Sequence, residues 1–172
     1  MMRMNKISFD GAKRAMSSSN ISRVSGSKSI KIPEMIRLSE KLSIMKREVT
    51  VGLFKQVMKG YNVIGNNADG LKAILDDPSR TEDTLHYVSL NDAREFAVRL
   101  SKQTGRKFRV QRNMEWLQSK KYISGTGWTW TETKDGVAFH ILRSLDMTDE
   151  FNSSLPKERD YNYAIRLVED LA

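Results

Sequence analysis

The side chains that most often carry out chemistry are scarce in this chain of 172 residues. It contains no cysteine, and its only histidines are His86 and His140. The lack of cysteine excludes disulfides, thiolate metal sites and thiol nucleophiles. Two histidines are too few for a three-histidine metal centre. A serine hydrolase would need one of them as its base, and no motif around either residue points to that chemistry.

Positive charge is concentrated at the start of the chain, although the net charge of the whole chain is +8. Residues 1–31 contain one acid, Asp10, and the seven basic residues Arg3, Lys6, Lys13, Arg14, Arg23, Lys28 and Lys31. When the charges of residues 1–31 are subtracted, the net charge of residues 32–172 is close to zero. We interpret residues 1–31 as a basic, Ser-rich arm and residues 32–172 as one domain. Such an arm suits an anionic partner: nucleic acid, an acidic protein groove or a membrane surface.

The pattern of apolar residues predicts a mixture of helices and strands. Thr50 and Ser89 are favourable N-cap residues, and each precedes apolar residues at helical spacing. A third helix is expected from about Asn113. Alternating residues on both sides of Asp135-Gly136 predict a β-hairpin, and Tyr161–Val168 is expected to be a final strand. This order of elements predicts an α+β domain.

Six segments follow one another in an order that resembles the formylglycine-generating-enzyme (sulfatase-modifying factor) family. GTGWTW stands where that family has GNVWEW, and YNYAIRL resembles its closing IGFRL. The resemblance implies a C-type-lectin-like fold, with a few helices around a mostly antiparallel twisted sheet. The matching segments are Ile44–Tyr61, Val88–Leu100, Arg106–Leu117, Gly125–Trp130, Phe139–Ser144 and Tyr161–Leu167.

The chain departs from this family at the positions that carry its chemistry. The family's oxidase binds copper through a cysteine pair, and its ergothioneine-type relatives bind iron through histidines. This sequence has no cysteine and only two histidines. Calcium sites of the family draw partly on residues near GNVWEW, where this chain has Thr126 and Thr129. The resemblance therefore implies a scaffold without catalytic residues, and we expect no metal or other cofactor, calcium included.

Several residues that match the family's motifs are expected to form a structural network rather than an active site. Buried carboxylates in such positions need hydrogen bonds, often from arginine, and large aromatic side chains usually pack in the core. The network is predicted to comprise Glu48, Glu115, Trp116, Trp128, Trp130, Arg143 and Arg166. The two histidines are likewise interpreted as hydrogen-bonded structural residues.

Together these observations favour a non-enzymatic interaction module, a structural or accessory subunit of a larger assembly. The expected contacts are the arm, the Tyr61–Tyr87 loop and the Asp146–Pro156 loop, since loops are the adaptable surface of a reduced scaffold. Two alternatives stay open. The arm could bind the phosphate backbone of nucleic acid, with an affinity that falls steeply with salt, or the chain could be an unrecognised enzyme of the same superfamily. No apolar run is long enough to span a bilayer, and we expect a cytoplasmic or assembly-associated protein.

The absence of thiols predicts that the chain cannot perform formylglycine-type oxidation, because that chemistry requires a thiolate. We expect no formylglycine when the protein is incubated with a sulfatase-derived peptide and copper. Mass spectrometry of the peptide measures this directly. Any conversion above that of the peptide and copper without the protein would contradict the prediction.

Overall fold

The computed structural model describes residues 29–125, 127–145 and 148–172, and it describes residues 144, 145 and 148–150 by their backbone alone. The first six basic residues of the predicted arm, Arg3 to Lys28, lie outside the described residues, as does Thr126. Lys31 is described and exposed. No helix in the described part of the chain is long and apolar enough to cross a membrane.

Helices and strands alternate irregularly along the described residues, which confirms the predicted α+β class. Ser89 and Thr50 cap helices as predicted, since their hydroxyls accept from the backbone N–H groups of Asp92 and Leu53. The helices are α1 (Val51–Val57), α2 (Ala68–Asp76), α3 (Leu90–Thr104) and α4 (Asn113–Ser119). The strands are β1 (Met35–Ser39), β2 (Leu42–Met45), β3 (Phe108–Val110), β4 (Trp128–Asp135), β5 (Ala138–Leu145), β6 (Thr148–Ser154), β7 (Tyr163–Ala164) and β8 (Leu167–Asp170).

The eight described strands form two sheets where the sequence predicted one. Their orders are β1-β2-β8-β3 and β6-β5-β4-β7. Neighbouring strands are antiparallel except β4 and β7, which are parallel. The prediction of a mostly antiparallel arrangement is therefore confirmed, and the prediction of a single sheet is wrong.

The segment predicted as one final strand, Tyr161–Val168, is two short strands in different sheets. Between β7 and β8 the chain leaves one sheet and enters the other at Ile165 and Arg166. The N–H of Val49 donates to the carbonyl of Ile165 at 2.8 Å. The guanidinium of Arg166 donates to the carbonyls of Met45 and Lys46, each at 2.7 Å. These bonds hold the crossing point against the segment after β2, and the period-two pattern of the sequence does not reveal the interruption.

The core lies between the early helices and both sheets. Phe54 of α1 stacks on Phe96 of α3 with ring centroids 5.6 Å apart. Trp130 of β4 is fully buried, meets Tyr163 edge to face, and donates its indole N–H to the carbonyl of Val88 at 2.8 Å. Buried tryptophan needs such a partner for its N–H group. The second sheet is thereby fixed to the start of α3.

Two segments that were predicted to be docking loops contain regular structure. The Tyr61–Tyr87 segment includes α2 and a short 3₁₀ helix, Pro78–Arg80. Most of the Asp146–Pro156 segment is β6, which pairs with β5 from Phe139↔Ser154 to Leu145↔Thr148. Polar residues without a clear alternation hid this strand in the sequence, and pairing with a neighbour decided it.

A buried ion pair anchors the start of α3 to the segment before β7. Asp92 accepts two hydrogen bonds from Arg159, at 2.7 and 2.9 Å, and a third from the hydroxyl of Tyr61 at 2.6 Å. Arg159 also donates to the carbonyls of Ile64 and Asn66. Burial and the hydrogen bond to Asp92 raise the pKa of Tyr61 above its usual value. All these partners belong to the protein itself, so the cluster is structural.

We expect Asp92→Ala to destabilise the fold strongly, because it leaves Arg159 buried without its counter-charge. Breaking one partner of a buried pair costs about 3–5 kcal/mol. Glu132→Ala is the matched control, since it breaks the partly exposed Arg94–Glu132 pair, and it should cost less than about 1 kcal/mol. Urea unfolding measures both free energies. Equal losses in the two variants would contradict the structural role of Asp92.

Candidate functional site

A small cavity of about 30 Å³ lies where the two sheets, the start of β4 and the end of α4 meet. Its walls carry one carboxylate and three basic groups, so its lining is positive overall. A space of this size holds roughly one or two water molecules. The lining residues are Glu48, Trp116, Lys120, Ile123, Ser124, Gly125, Gly127, Thr129, Leu142, Arg143 and Arg166.

Arg166 and Glu48 are the buried charges of this cavity. Their closest atoms, Nη2 and Oε1, are 4.0 Å apart, which is an ion pair without a direct hydrogen bond. Arg166 instead donates to the carbonyls of Met45, Lys46 and Ser124, while its Nε has no partner among the described residues. Glu48 accepts from the N–H of Gly127 at 3.1 Å. Both side chains therefore serve mainly to hold backbone segments together.

Burial shifts both titratable groups towards their neutral forms. The pKa of Glu48 is raised chiefly by desolvation, which the positive charge of Arg166 and the hydrogen bond from Gly127 only partly offset. Desolvation likewise lowers the pKa of Arg166 to about 10, against the attraction of Glu48. A general acid or base would also need an accessible substrate position beside it. A cavity of about 30 Å³ is too small for a substrate larger than a few atoms.

The structure brings most of the predicted network residues to this region and separates two of them, Trp130 and Glu115. Trp116 is 3% exposed, as predicted, and lines the cavity with Arg143. Arg143 lies over the ring of Trp128 at 4.7 Å, whereas Trp130 belongs to the core. Glu115 is not among the residues that line the cavity.

The partner of Glu115 is Arg109, a residue that the sequence analysis did not include in the predicted network. Its guanidinium binds Glu115 in a two-pronged ion pair and also binds Asp170 of β8, at 2.9 Å from Nε. The hydrogen bonds to Glu115 raise the pKa of Arg109 above its usual value. Arg109 and Glu115 are six positions apart, on β3 and α4. The sequence did contain a signal for this pair, because a basic residue in a short strand is followed closely by a helix with an acidic residue in its first turn.

The described residues include one place where a serine, a histidine and an aspartate meet. Ser153 donates to Asp135 at 2.6 Å, and His140 Nε2 lies 3.8 Å from the same carboxylate oxygen. The other ring nitrogen of His140 is 2.6 Å from the side-chain amide of Asn113. In a catalytic triad the hydroxyl donates to histidine and the acid binds the far side of the ring. Here the hydroxyl proton goes to aspartate, so this cluster lacks the arrangement of a hydrolase.

Apolar side chains are exposed beside that cluster. Asn113 begins α4 against His140 of β5, and the ring of His140 lies 5.5 Å from that of Phe151 on β6. Met114 follows Asn113, and Leu117 lies one turn further along the same side of the helix. Phe151, Met114 and Leu117 are 70%, 65% and 43% exposed. We call these five residues, Asn113, Met114, Leu117, His140 and Phe151, the α4–β6 face.

A metal site has no support in the described part of the chain, where no group of three or more histidines or acidic residues is placed to hold an ion. Of the two positions discussed for calcium, Thr126 lies outside the described residues. The hydroxyl of Thr129 is occupied, because it donates to the carbonyl of Leu142 and accepts from Gln111.

The loop that closes the cavity depends on a glycine, and substitution should show it. Gly125 has φ of +133°, and a Cβ there would overlap the carboxylate of Glu48. We expect Gly125→Ala to cost at least about 3 kcal/mol of unfolding free energy, because strain of about 1–3 kcal/mol adds to the clash. Gly136→Ala is the control: φ is +63° with nothing within 4 Å, so about 1–2 kcal/mol is expected. Urea unfolding that ranks the two variants in the opposite order would contradict this account.

Comparison with known proteins shows similarity at the level of the fold. No family model and no curated protein matches the chain. Among solved structures, PvdO from Pseudomonas aeruginosa is similar over 76% of this chain and 80% of its own, with a TM-score of 0.57 and 14% identity. Treponema denticola variable protein 1 is similar over 86% of this chain and 90% of its own, with a TM-score of 0.53 and 13% identity. These structures indicate a related fold, and membership of the formylglycine-generating-enzyme family stays a prediction.

Proposed function

We propose that this chain is a non-catalytic protein-interaction module, a structural or accessory subunit that binds a protein partner through the α4–β6 face. We further propose that its scaffold is a reduced formylglycine-generating-enzyme-like, C-type-lectin-like domain. The observation that carries the functional proposal is the exposure of Phe151, Met114 and Leu117 on two elements that are linked through Asn113 and His140. Exposed apolar side chains that gather on neighbouring elements often mark an interaction surface.

The buried charged side chains are engaged in structural ion pairs, which supports a binding role rather than catalysis. Asp92 is bound by Arg159, Glu115 by Arg109, and Glu48 lies beside Arg166. Each pair connects segments far apart in the chain or joins a strand to a helix. Charged groups committed to such structural bonds are poor nucleophiles, acids or bases, because freeing one leaves its partner buried and unpaired.

The composition of the α4–β6 face suits a protein surface as its partner. A centre of aromatic and methionine side chains with polar groups around it is typical of protein interfaces. Asn113 and His140 supply those polar groups inside the patch, and Arg112 and Lys134 are exposed nearby in the sequence. Aromatic anchors such as Phe151 often dominate the binding energy of such a surface.

The basic arm, residues 1–31, remains a predicted second site of contact with a partner. Six of its seven basic residues lie outside the described residues, so the proposal does not depend on its structure. The domain alone, residues 32–172, should keep the partner that binds the α4–β6 face. A partner bound by the arm would be lost from that shortened chain.

The decisive experiment compares partners captured from the native source by matched variants. Met114→Glu with Phe151→Glu places two charges on the α4–β6 face and should weaken a specific partner by roughly 30-fold, the effect of losing one interface hot spot. Val98→Glu, at an equally exposed position on α3 (63%), should keep it. Quantitative mass spectrometry of the captured proteins, followed by titration with the purified partner, measures the difference.

Two outcomes would overturn the proposal. In the first, the double variant binds every specific partner with the affinity of the unchanged chain. In the second, the purified protein turns over a small molecule and loses that activity on substitution of His140 or Ser153. The second result would place an unrecognised enzyme at the cluster that we interpret as structural.

A further inference from the structure

Arg166 has one hydrogen-bond donor that the rest of the protein leaves unused. Its two terminal nitrogens donate to the carbonyls of Met45, Lys46 and Ser124. Its Nε is buried and has no partner among the described residues. A buried donor without an acceptor is costly, and more so when the group is charged. The site therefore favours an acceptor that the chain itself does not supply.

Positive charge exceeds negative charge around the cavity that Arg166 lines. Arg143 and Lys120 also line it, and Glu48 is the one carboxylate among the described lining residues. Glu48 lies 4.0 Å from Arg166, and desolvation still lowers the pKa of Arg166 against this attraction. Arg143 and Lys120 have contacts of their own, and what they add to the cavity is charge. A concave site lined by an excess of one sign concentrates ions of the opposite sign.

An anion satisfies both of these features, whereas water satisfies one. A water molecule accepts the Nε proton but leaves the excess positive charge without compensation. An anion accepts the same proton and supplies the counter-charge that a buried cation needs.

The dimensions and the apolar walls of the cavity restrict which anion fits. Its volume of about 30 Å³ is the room of roughly one or two water molecules. Chloride and formate are of this size, and phosphate and sulfate are larger. Trp116, Ile123 and Leu142 form apolar parts of the wall, which penalise a divalent ion more than a monovalent one because it must give up more hydration.

We propose that this cavity binds one small monovalent anion, a halide or a carboxylate group of the size of formate, through the Nε–H of Arg166. Lys120 and Arg143 attract the ion through their charge. Arg166 lies where the chain passes from β7 to β8, so a bound ion stabilises the crossing between the two sheets. The inference goes beyond the proposed function, since none of the five residues of the α4–β6 face lines this cavity.

NMR of the isotopically labelled full chain tests the site by titration with sodium chloride or sodium formate. Sodium gluconate keeps the ionic strength constant, and its anion is too large for the cavity. We expect saturable shifts of the Arg166 Nε–H signal and of the backbone N–H signals of Ser124 and Gly125, with a dissociation constant on the order of millimolar. Phosphate should produce no saturation. Tighter binding of chloride identifies a halide site, and tighter binding of formate identifies a carboxylate site.

Lys120→Gln and Lys121→Gln are a matched pair of variants. Both lysines are exposed and adjacent in the chain, but of the two Lys120 alone lines the cavity. Lys120→Gln should raise the dissociation constant about two- to fivefold, which is the worth of an exposed charge, and Lys121→Gln should leave it unchanged. Shifts that grow without saturation, saturation by phosphate as well, or the same dissociation constant in both variants would overturn the proposal.

Discussion

The guanidinium of Arg166 is the contact on which the arrangement of the two sheets depends. It lies at the point where the chain passes from β7 in one sheet to β8 in the other, and it is almost completely buried. Its donors hold the carbonyls of Met45 and Lys46 after β2 and of Ser124 before β4. A buried charge is tolerated only when hydrogen bonds and a counter-charge replace water. Three carbonyls and the nearby Glu48 meet that requirement, and they tie the crossing point to two distant segments of the chain.

The remaining features of the cavity follow from this anchor. The loop before β4 must pass close to the Glu48 carboxylate to reach Arg166, so Gly125 stands where a Cβ would collide with that carboxylate. Gly127 lies in tight contact with Ala164 and His86. The loop in turn positions the end of α4 and the start of β4. The buried polar groups of the cavity, Glu48 and Arg166, are thus occupied in holding the frame together.

The short length of α4 determines which side chains beside it remain exposed. The helix has seven residues and no side-chain cap at Arg112, although the Glu115 carboxylate accepts the N–H of Arg112. It lies over β4 and β5 through Asn113 and Trp116 and leaves Phe151 on β6 uncovered. The proposed function follows from this limit, because the short helix leaves Phe151 exposed.

Local sequence signals determined helices α1, α3 and α4 and the hairpin of β4 and β5, because caps at Thr50 and Ser89, turn residues and apolar periodicity act within a few residues. They also indicated that Glu48, Arg166 and Trp116 belong to the interior. Only the tertiary structure decided that Glu115 binds Arg109, that Tyr161–Val168 divides between two sheets, and that Thr148–Ser154 is a strand. Each of these depends on a partner distant in the chain or on another element, and no spacing within one segment records which backbone or charge will lie opposite it.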